Sequence, residues 1–118
     1  VESVAVIGEV KGKNVLLVDD LTETAGTLTK GAELLKKKGA KRIIACVSHA
    51  ILGDTGIERL RKSAIDELIT TDTVIRPAIK GVKITTLSVA GLLGEAIKRI
   101  HNNSSVTSLF ESKGGRTS

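Results

Sequence analysis

Val15-Leu16-Leu17-Val18-Asp19-Asp20-Leu21-Thr22-Glu23-Thr24-Ala25-Gly26-Thr27 is the stretch on which the fold turns. Four consecutive apolar residues read as a buried strand. Two carboxylates follow where such a strand would end. A short run of small and hydroxyl residues then leads into a helix, expected from about Ala25 to Lys38. Leu28, Ala32 and Leu35 fall on one helical face and Leu34 widens it. Thr24 is the expected N-cap, and Gly39 stands at the position past the C-terminus that favours glycine. Arg42–Ser48 is the next buried strand. A strand, a helix and a second strand predict a βαβ unit with parallel strands.

Outward from this unit the pattern continues. Val4–Val10, interrupted by Gly8, reads as a strand with a kink or bulge, and Lys11-Gly12-Lys13 as a turn. Gly53-Asp54-Thr55-Gly56 reads as a turn before a short helix, roughly Thr55–Lys62, with Ile57 and Leu60 inward. Glu67–Thr70 and Val82–Leu87 are expected strands, separated by a loop over Thr71–Gly81 that holds the single proline, Pro77. Ser88 is placed to cap a last helix whose apolar stripe is Val89, Leu92, Leu93, Ala96, Ile97 and Ile100. Val106–Phe110 is expected to dock as an extended segment, and residues 111–118 to form a polar, frayed tail. The fold class expected is α/β: a mostly parallel sheet flanked by helices in a Rossmann-like, three-layer arrangement.

The 118 residues suit one compact domain, taken as residues 1–110, and 41% apolar with 26% charged residues is an ordinary globular composition. Phe110 is the only aromatic residue, so the core must be aliphatic, and base-stacking surfaces for single-stranded nucleic acid are almost absent. The net charge of +5 fits nucleic acid, a membrane surface or a small polyanion such as a nucleotide. The densest basic run, Lys36-Lys37-Lys38, closes a helix, where cations favour the dipole, and is not read as a nucleic-acid patch. No apolar run is long enough to span a bilayer, and the single cysteine, Cys46, cannot form an internal disulfide. These features lead to the expectation of a cytoplasmic protein with no membrane or nucleic-acid partner.

The chemistry concentrates at residues 19–27. In parallel sheets ligands bind beyond the carboxyl ends of strands. Asp19 and Asp20 occupy such an end, and their side chains can hold sugar hydroxyls or a hydrated metal ion. Consecutive strand residues face opposite ways, so both reach one ligand only if the chain bends there. Glu23, Thr24, Ala25, Gly26 and Thr27 supply small side chains, hydroxyl donors and the free amides of a helix start, which together suit a phosphate. The spacing is neither G-x-x-x-x-G-K nor G-x-G-x-x-G. Spacing alone fits an ordinary acidic turn and helix cap as well as a ligand site. His49 reads as a hydrogen-bonded structural histidine, His101 as a cation closing a helix, and Cys46 as a packing residue.

The run Val18-Asp19-Asp20-x-x-Glu23-Thr24-Ala25-Gly26-Thr27 resembles the phosphoribosyl-pyrophosphate motif of the type I phosphoribosyltransferase fold. The likeness extends through Val6-Ile7-Gly8-Glu9-Val10, Ser48-His49, Glu58-Arg59-Leu60, Thr71-Asp72-Thr73 and Glu95–Asn102 to Ser105-Val106-Thr107-Ser108-Leu109-Phe110. Taken together, the chain resembles the C-terminal domain of the ribose-phosphate pyrophosphokinase family. That resemblance implies Mg²⁺-dependent transfer of pyrophosphate from ATP to the 1-hydroxyl of ribose 5-phosphate. It implies that Glu23, Thr24, Ala25, Gly26 and Thr27 wrap the 5-phosphate. Asp19 and Asp20 would face the ribose hydroxyls and the hydrated ion, and Ser105, Val106 and Thr107 would contribute to a regulatory phosphate site. It also implies a homo-oligomer, and an ATP-binding surface on a domain upstream of this stretch, so that this stretch alone is expected to be inactive. The sequence departs from the family pattern at Glu23, where aspartate is usual, and at Gly53-Asp54-Thr55-Gly56, where Ser-Gly-Pro-Ala is usual. Two other readings share the motif: a non-catalytic regulatory relative that associates with active subunits, and a phosphoribosyltransferase that consumes the product.

Overall fold

A computed structural model describes residues 5–76 and 78–111. The chain divides into two compact units, Val1–Leu87 and Ser88–Ser118. In the first, β1 (Asn14–Thr22), β2 (Arg42–Ala50), β3 (Glu67–Thr71) and β4 (Ile84–Leu87) form one sheet in the order β1-β2-β3-β4. Every neighbouring pair is parallel, with Val18 opposite Cys46, Cys46 opposite Ile69 and Ile69 opposite Thr85. Helices α1 (Gly26–Lys37) and α2 (Asp54–Lys62) make the crossovers β1-α1-β2 and β2-α2-β3.

Both helices bury their apolar faces on the same side of the sheet. Ala25, Leu28 and Leu60 meet Ala45, Val47 and Leu68, and a second cluster joins Ala32 and Leu35 to Ala40 and Ile43. The core among the described residues is therefore aliphatic, as the composition requires, and Phe110 is 85% exposed. α1 ends as Gly39 predicted. At φ +86° Gly39 closes a Schellman turn, its amide donating to the Lys36 carbonyl while the Ala40 amide donates to Leu35.

Several sequence expectations are corrected. The segment expected as a strand over Val4–Val10 is irregular from residue 5 to 10, and Val4 lies outside the described residues. Gly8 sits at φ +94°, which breaks the pleat, while Val6 and Val10 pack on the second core cluster from a loop. β1 is longer and less buried than expected. It runs through both aspartates to Thr22, and Leu16 (62%) and Val18 (78%) are exposed, because an edge strand here is covered by α1 on one face only. β2 likewise runs on to Ala50, and β4 starts at Ile84, two residues after the expected Val82. α2 begins at Asp54, with Gly53 as its N-cap, so most of the expected turn is helix.

The second unit holds α3 (Ala90–His101) and a 3₁₀ turn at Thr107–Leu109. The N-cap of α3 is Val89 rather than the expected Ser88, whose hydroxyl accepts from the Ala90 amide at 3.3 Å. α3 ends in another Schellman turn, with Asn103 at φ +53° and the Ser104 amide donating to Arg99. The extended segment expected at Val106–Phe110 is instead that 3₁₀ turn. Arg99 Nη1 holds it curled, donating to the Ser105 carbonyl at 3.3 Å and the Ser108 hydroxyl at 2.6 Å. The expected tail, apart from Glu111, lies outside the described residues. Among the described residues no helix is long and apolar enough to cross a membrane.

Candidate functional site

Between the carboxyl end of β1 and the start of α1 lies a small cup of about 190 Å³. It is lined by Asp19, Leu21 and every residue from Thr22 to Leu28. Glu23, Thr24, Ala25, Gly26 and Thr27, the residues singled out in the sequence for an anion, are thus brought together. Their local geometry differs from the expectation in one respect. The N-cap of α1 is Ala25, not Thr24, and no side chain among the described residues caps the helix. Ala25 is held at φ 54°, ψ 15°, a left-handed conformation unusual for a residue with a Cβ. Its methyl group is anchored in the core at 2% exposure.

A left-handed residue followed by a helical one turns successive amides toward a common point and creates an anion-binding concavity. The amides of Thr24, Ala25, Gly26, Thr27 and Leu28 have no hydrogen-bond partner among the described residues. The first amide to be used is that of Thr29, which donates to the Ala25 carbonyl at 3.0 Å. Side-chain capping would have consumed one of these donors. The Thr29 hydroxyl instead accepts nothing from them and donates to the Ala25 carbonyl at 2.8 Å. The cup is therefore a cluster of free N–H groups at the positive end of a helix dipole.

The two aspartates separate. β1 continues straight through them, with Asp19 in register with Val47, so their side chains fall on opposite faces of the sheet. Asp19 lines the cup and Asp20 does not. Asp19 Oδ1 also accepts from the Asp20 amide at 2.8 Å, which orients the carboxylate. No group of three or more His, Cys, Asp or Glu suited to a metal exists among the described residues. The donors present therefore do not make a protein cage for Mg²⁺. The exposed carboxylates of Asp19 and Asp20 are oxygen donors of the kind magnesium takes, one or two at a time, beside substrate phosphates.

Two residues of α2 that sequence reasoning left unassigned stand against the cup. A Cβ on Gly56 would overlap the Glu23 carbonyl oxygen, so in this chain α2 sits closer to the loop than the alanine usual in the family at this position would allow. Arg59 Nη1 donates to the Thr24 carbonyl at 3.1 Å and lies 3.2 Å from where a Cβ on Gly26 would stand. The available signal was Gly56 itself: a glycine inside a helical segment is unfavourable and asks for a packing reason.

Asp19 also borders a second depression of about 190 Å³, lined with it by Val18, Cys46, Ile69 and Leu87. Cys46 is half-buried there, less enclosed than its apolar neighbours suggested. A larger open groove, about 840 Å³, runs between α1 and α2. Its walls carry the ion pairs Glu33–Lys37 and Glu58–Lys62, both at 2.9 Å. His49 is exposed and hydrogen-bonded, its Nδ1 lying 2.7 Å from the Thr73 hydroxyl. In the second unit the Ser105 hydroxyl accepts from the Thr107 amide at 3.2 Å and lies 3.1 Å from the Thr107 hydroxyl. Ser105, Val106 and Thr107 thus form one tight turn. The lowered carboxyl groups lie outside the cup. Glu67 is held below the ordinary carboxylate range first by the Thr85 hydroxyl, then by Lys83 and Arg42. Glu33, Glu58 and Glu95 are lowered by hydrogen bonds from Lys37, Lys62 and Arg99.

Comparison with known proteins adds the following. The family pattern described as phosphoribosyl synthetase-associated domain matches residues 2–111. The chain is 50% identical over 113 residues to a ribose-phosphate pyrophosphokinase of Prochlorococcus marinus subsp. pastoris, covering 92% of this chain and 34% of that protein. It is 46% identical over 110 residues to a ribose-phosphate pyrophosphokinase of Campylobacter jejuni, covering 92% of this chain and 35% of that one. Among solved structures, the phosphoribosylpyrophosphate synthetase from Mycobacterium smegmatis is 35% identical, with a TM-score of 0.77 over 83% of this chain and 33% of that chain. The chain thus spans about a third of the length of these relatives.

Proposed function

Since the chain belongs to the phosphoribosyl synthetase-associated domain family, we propose that the cup at residues 19–28 binds the 5-phosphate of ribose 5-phosphate. The activity served is that of a ribose-phosphate pyrophosphokinase, transferring the pyrophosphoryl group of ATP to the sugar 1-hydroxyl. The observation that carries this reading is the run of five unpartnered amides around left-handed Ala25, open to the cup beside the Asp19 carboxylate.

The division of labour follows from the chemistry of each group. The amides of Thr24 to Leu28 bind the phosphate dianion without a side-chain cation, aided by the α1 dipole. The Thr24 and Thr27 hydroxyls add donors. Asp19 accepts hydrogen bonds from ribose hydroxyls and so fixes which way the sugar lies. Asp20, on the other face of β1, is left to meet water or a second ligand. Glu23 is exposed at the rim, where its extra methylene has room. Mg²⁺, when bound, supplies charge neutralisation of the polyphosphate. Transfer between oxygens in line demands mainly positioning and charge balance. Holding the sugar by its far end directs the 1-hydroxyl outward, toward an ATP bound on other parts of a full-length enzyme. A homo-oligomeric, cytoplasmic enzyme is the setting we infer for it, with Ser105, Val106 and Thr107 as a regulatory phosphate turn.

Calorimetric titration of the chain with ribose 5-phosphate tests the reading. Weak binding, strengthened by Mg²⁺ and lost in Gly26→Val, is expected. The valine branches would crowd Thr24 Oγ1 and Arg59 and so displace the loop that forms the cup. Affinity retained in that variant would refute the assignment of the loop.

A further inference from the structure

We infer that α2 is the device that aims the loop, with Arg59 and Gly56 as positioning residues for the phosphate. This rests on the ribose-phosphate reading of the cup. Two successive loop carbonyls, those of Glu23 and Thr24, face α2. The Glu23 oxygen lies nearer than its own carbon to the Cβ position of Gly56, and the Thr24 oxygen accepts from Arg59 Nη1 at 3.1 Å. No peptide bond among the described residues is cis. In a trans peptide the carbonyl and the following N–H point in opposite directions. Drawing the Glu23 carbonyl toward α2 therefore turns the Thr24 amide away from it. Drawing the Thr24 carbonyl toward Arg59 does the same for the Ala25 amide. Those two amides complete the set begun by the free N–H groups of α1. The left-handed Ala25 supplies the bend between the two sets.

The components are specific in kind. Gly56 is buried, and a side chain there meets loop backbone, so that the loop or α2 must shift. Arg59 is exposed, one turn of α2 further on, and touches the loop at a carbonyl rather than through packing. Its guanidinium stands beside the first residue of α1. It thus adds positive charge behind the amides without occupying the cup. A side chain on the amide side would compete with the phosphate, whereas one on the carbonyl side prearranges its donors.

The experiment uses the whole chain, with Arg59→Gln, Arg59→Lys and Gly56→Ala. In ligand-free protein, Arg59→Gln is expected to shift the Thr24 and Ala25 amide resonances and quicken their exchange with water, leaving the urea midpoint unchanged. Ribose 5-phosphate is expected to bind this variant about tenfold more weakly, the weight of one charge-assisted hydrogen bond at an exposed position. Arg59→Lys should recover part of the affinity, and Gly56→Ala should weaken it independently. Binding equal to wild type in both Arg59→Gln and Gly56→Ala would overturn the inference. If the wild-type chain itself fails to bind ribose 5-phosphate, the ligand reading falls. The aiming role is then judged on the ligand-free spectra, where unshifted Thr24 and Ala25 amides in Arg59→Gln would overturn it.

Discussion

Replacing Gly56 by alanine sets two effects against each other whose sizes follow from the structure. A helical glycine changed to alanine gains up to about 1 kcal/mol of helix propensity. At Gly56 the added methyl would overlap the Glu23 carbonyl oxygen and stand 3.1 Å from Leu52 Cδ2. Leu52 can give way, but the Glu23 carbonyl belongs to backbone fixed between β1 and α1. Overpacking of this kind costs about 1–3 kcal/mol. Gly31 in α1 provides the internal control, since its added methyl would meet Leu17 Cδ2 at an ordinary 3.8 Å. Gly31→Ala is therefore expected to raise stability by about 1 kcal/mol. Gly56→Ala should fall below Gly31→Ala by about 1–3 kcal/mol, the steric component alone. The chain contains no tryptophan or tyrosine, so urea unfolding is best followed by far-ultraviolet circular dichroism. If Gly56→Ala proves as stable as Gly31→Ala, the close approach of α2 to the loop is refuted.

Two further outcomes are expected away from the cup. Thr70 is 2% exposed and its hydroxyl has no hydrogen-bond partner among the described residues, so Thr70→Val should gain about 1 kcal/mol in the same unfolding assay; a loss of stability would show that the hydroxyl is in fact satisfied. Glu67, lowered by Thr85, Lys83 and Arg42, stabilises the fold above the ordinary carboxylate value, and that contribution disappears as pH falls through its lowered value. Wild type should accordingly exceed Glu67→Gln in stability at neutral pH, with the gap closing on acidification; a gap that widens toward acid contradicts the assignment.

The parallel order of the sheet and the position of the cup were legible because local signals agree there. The apolar run Val15–Val18, the i, i+4, i+7 stripe of α1 and Gly39 all point to one βαβ unit. Residues 23–27 were legible for the same reason, as small residues at a strand-to-helix junction. What stayed hidden depends on partners far apart in sequence. β1 runs past Val18 because Asp19 pairs with Val47 and Leu21 with His49, and no propensity of the aspartates reveals that pairing. The opposite facing of Asp19 and Asp20 follows from this extension. Arg59 meets Thr24 across 35 residues, through the docking of α2. Ala25 adopts its left-handed conformation where the free threonine hydroxyl promised a cap, and the burial of its methyl group holds it there. At residues 106–110 the short apolar pattern suggested a strand, but the Arg99 contacts curl the segment into a 3₁₀ turn.

The most direct measurement is a ¹H–¹⁵N correlation spectrum of the chain titrated with ribose 5-phosphate. Saturable shifts confined mainly to the amides of Thr24, Ala25, Gly26, Thr27 and Leu28, absent with ribose alone, are predicted. Saturable shifts at the Ser105–Thr107 turn with the residue 24–28 amides unmoved would contradict it.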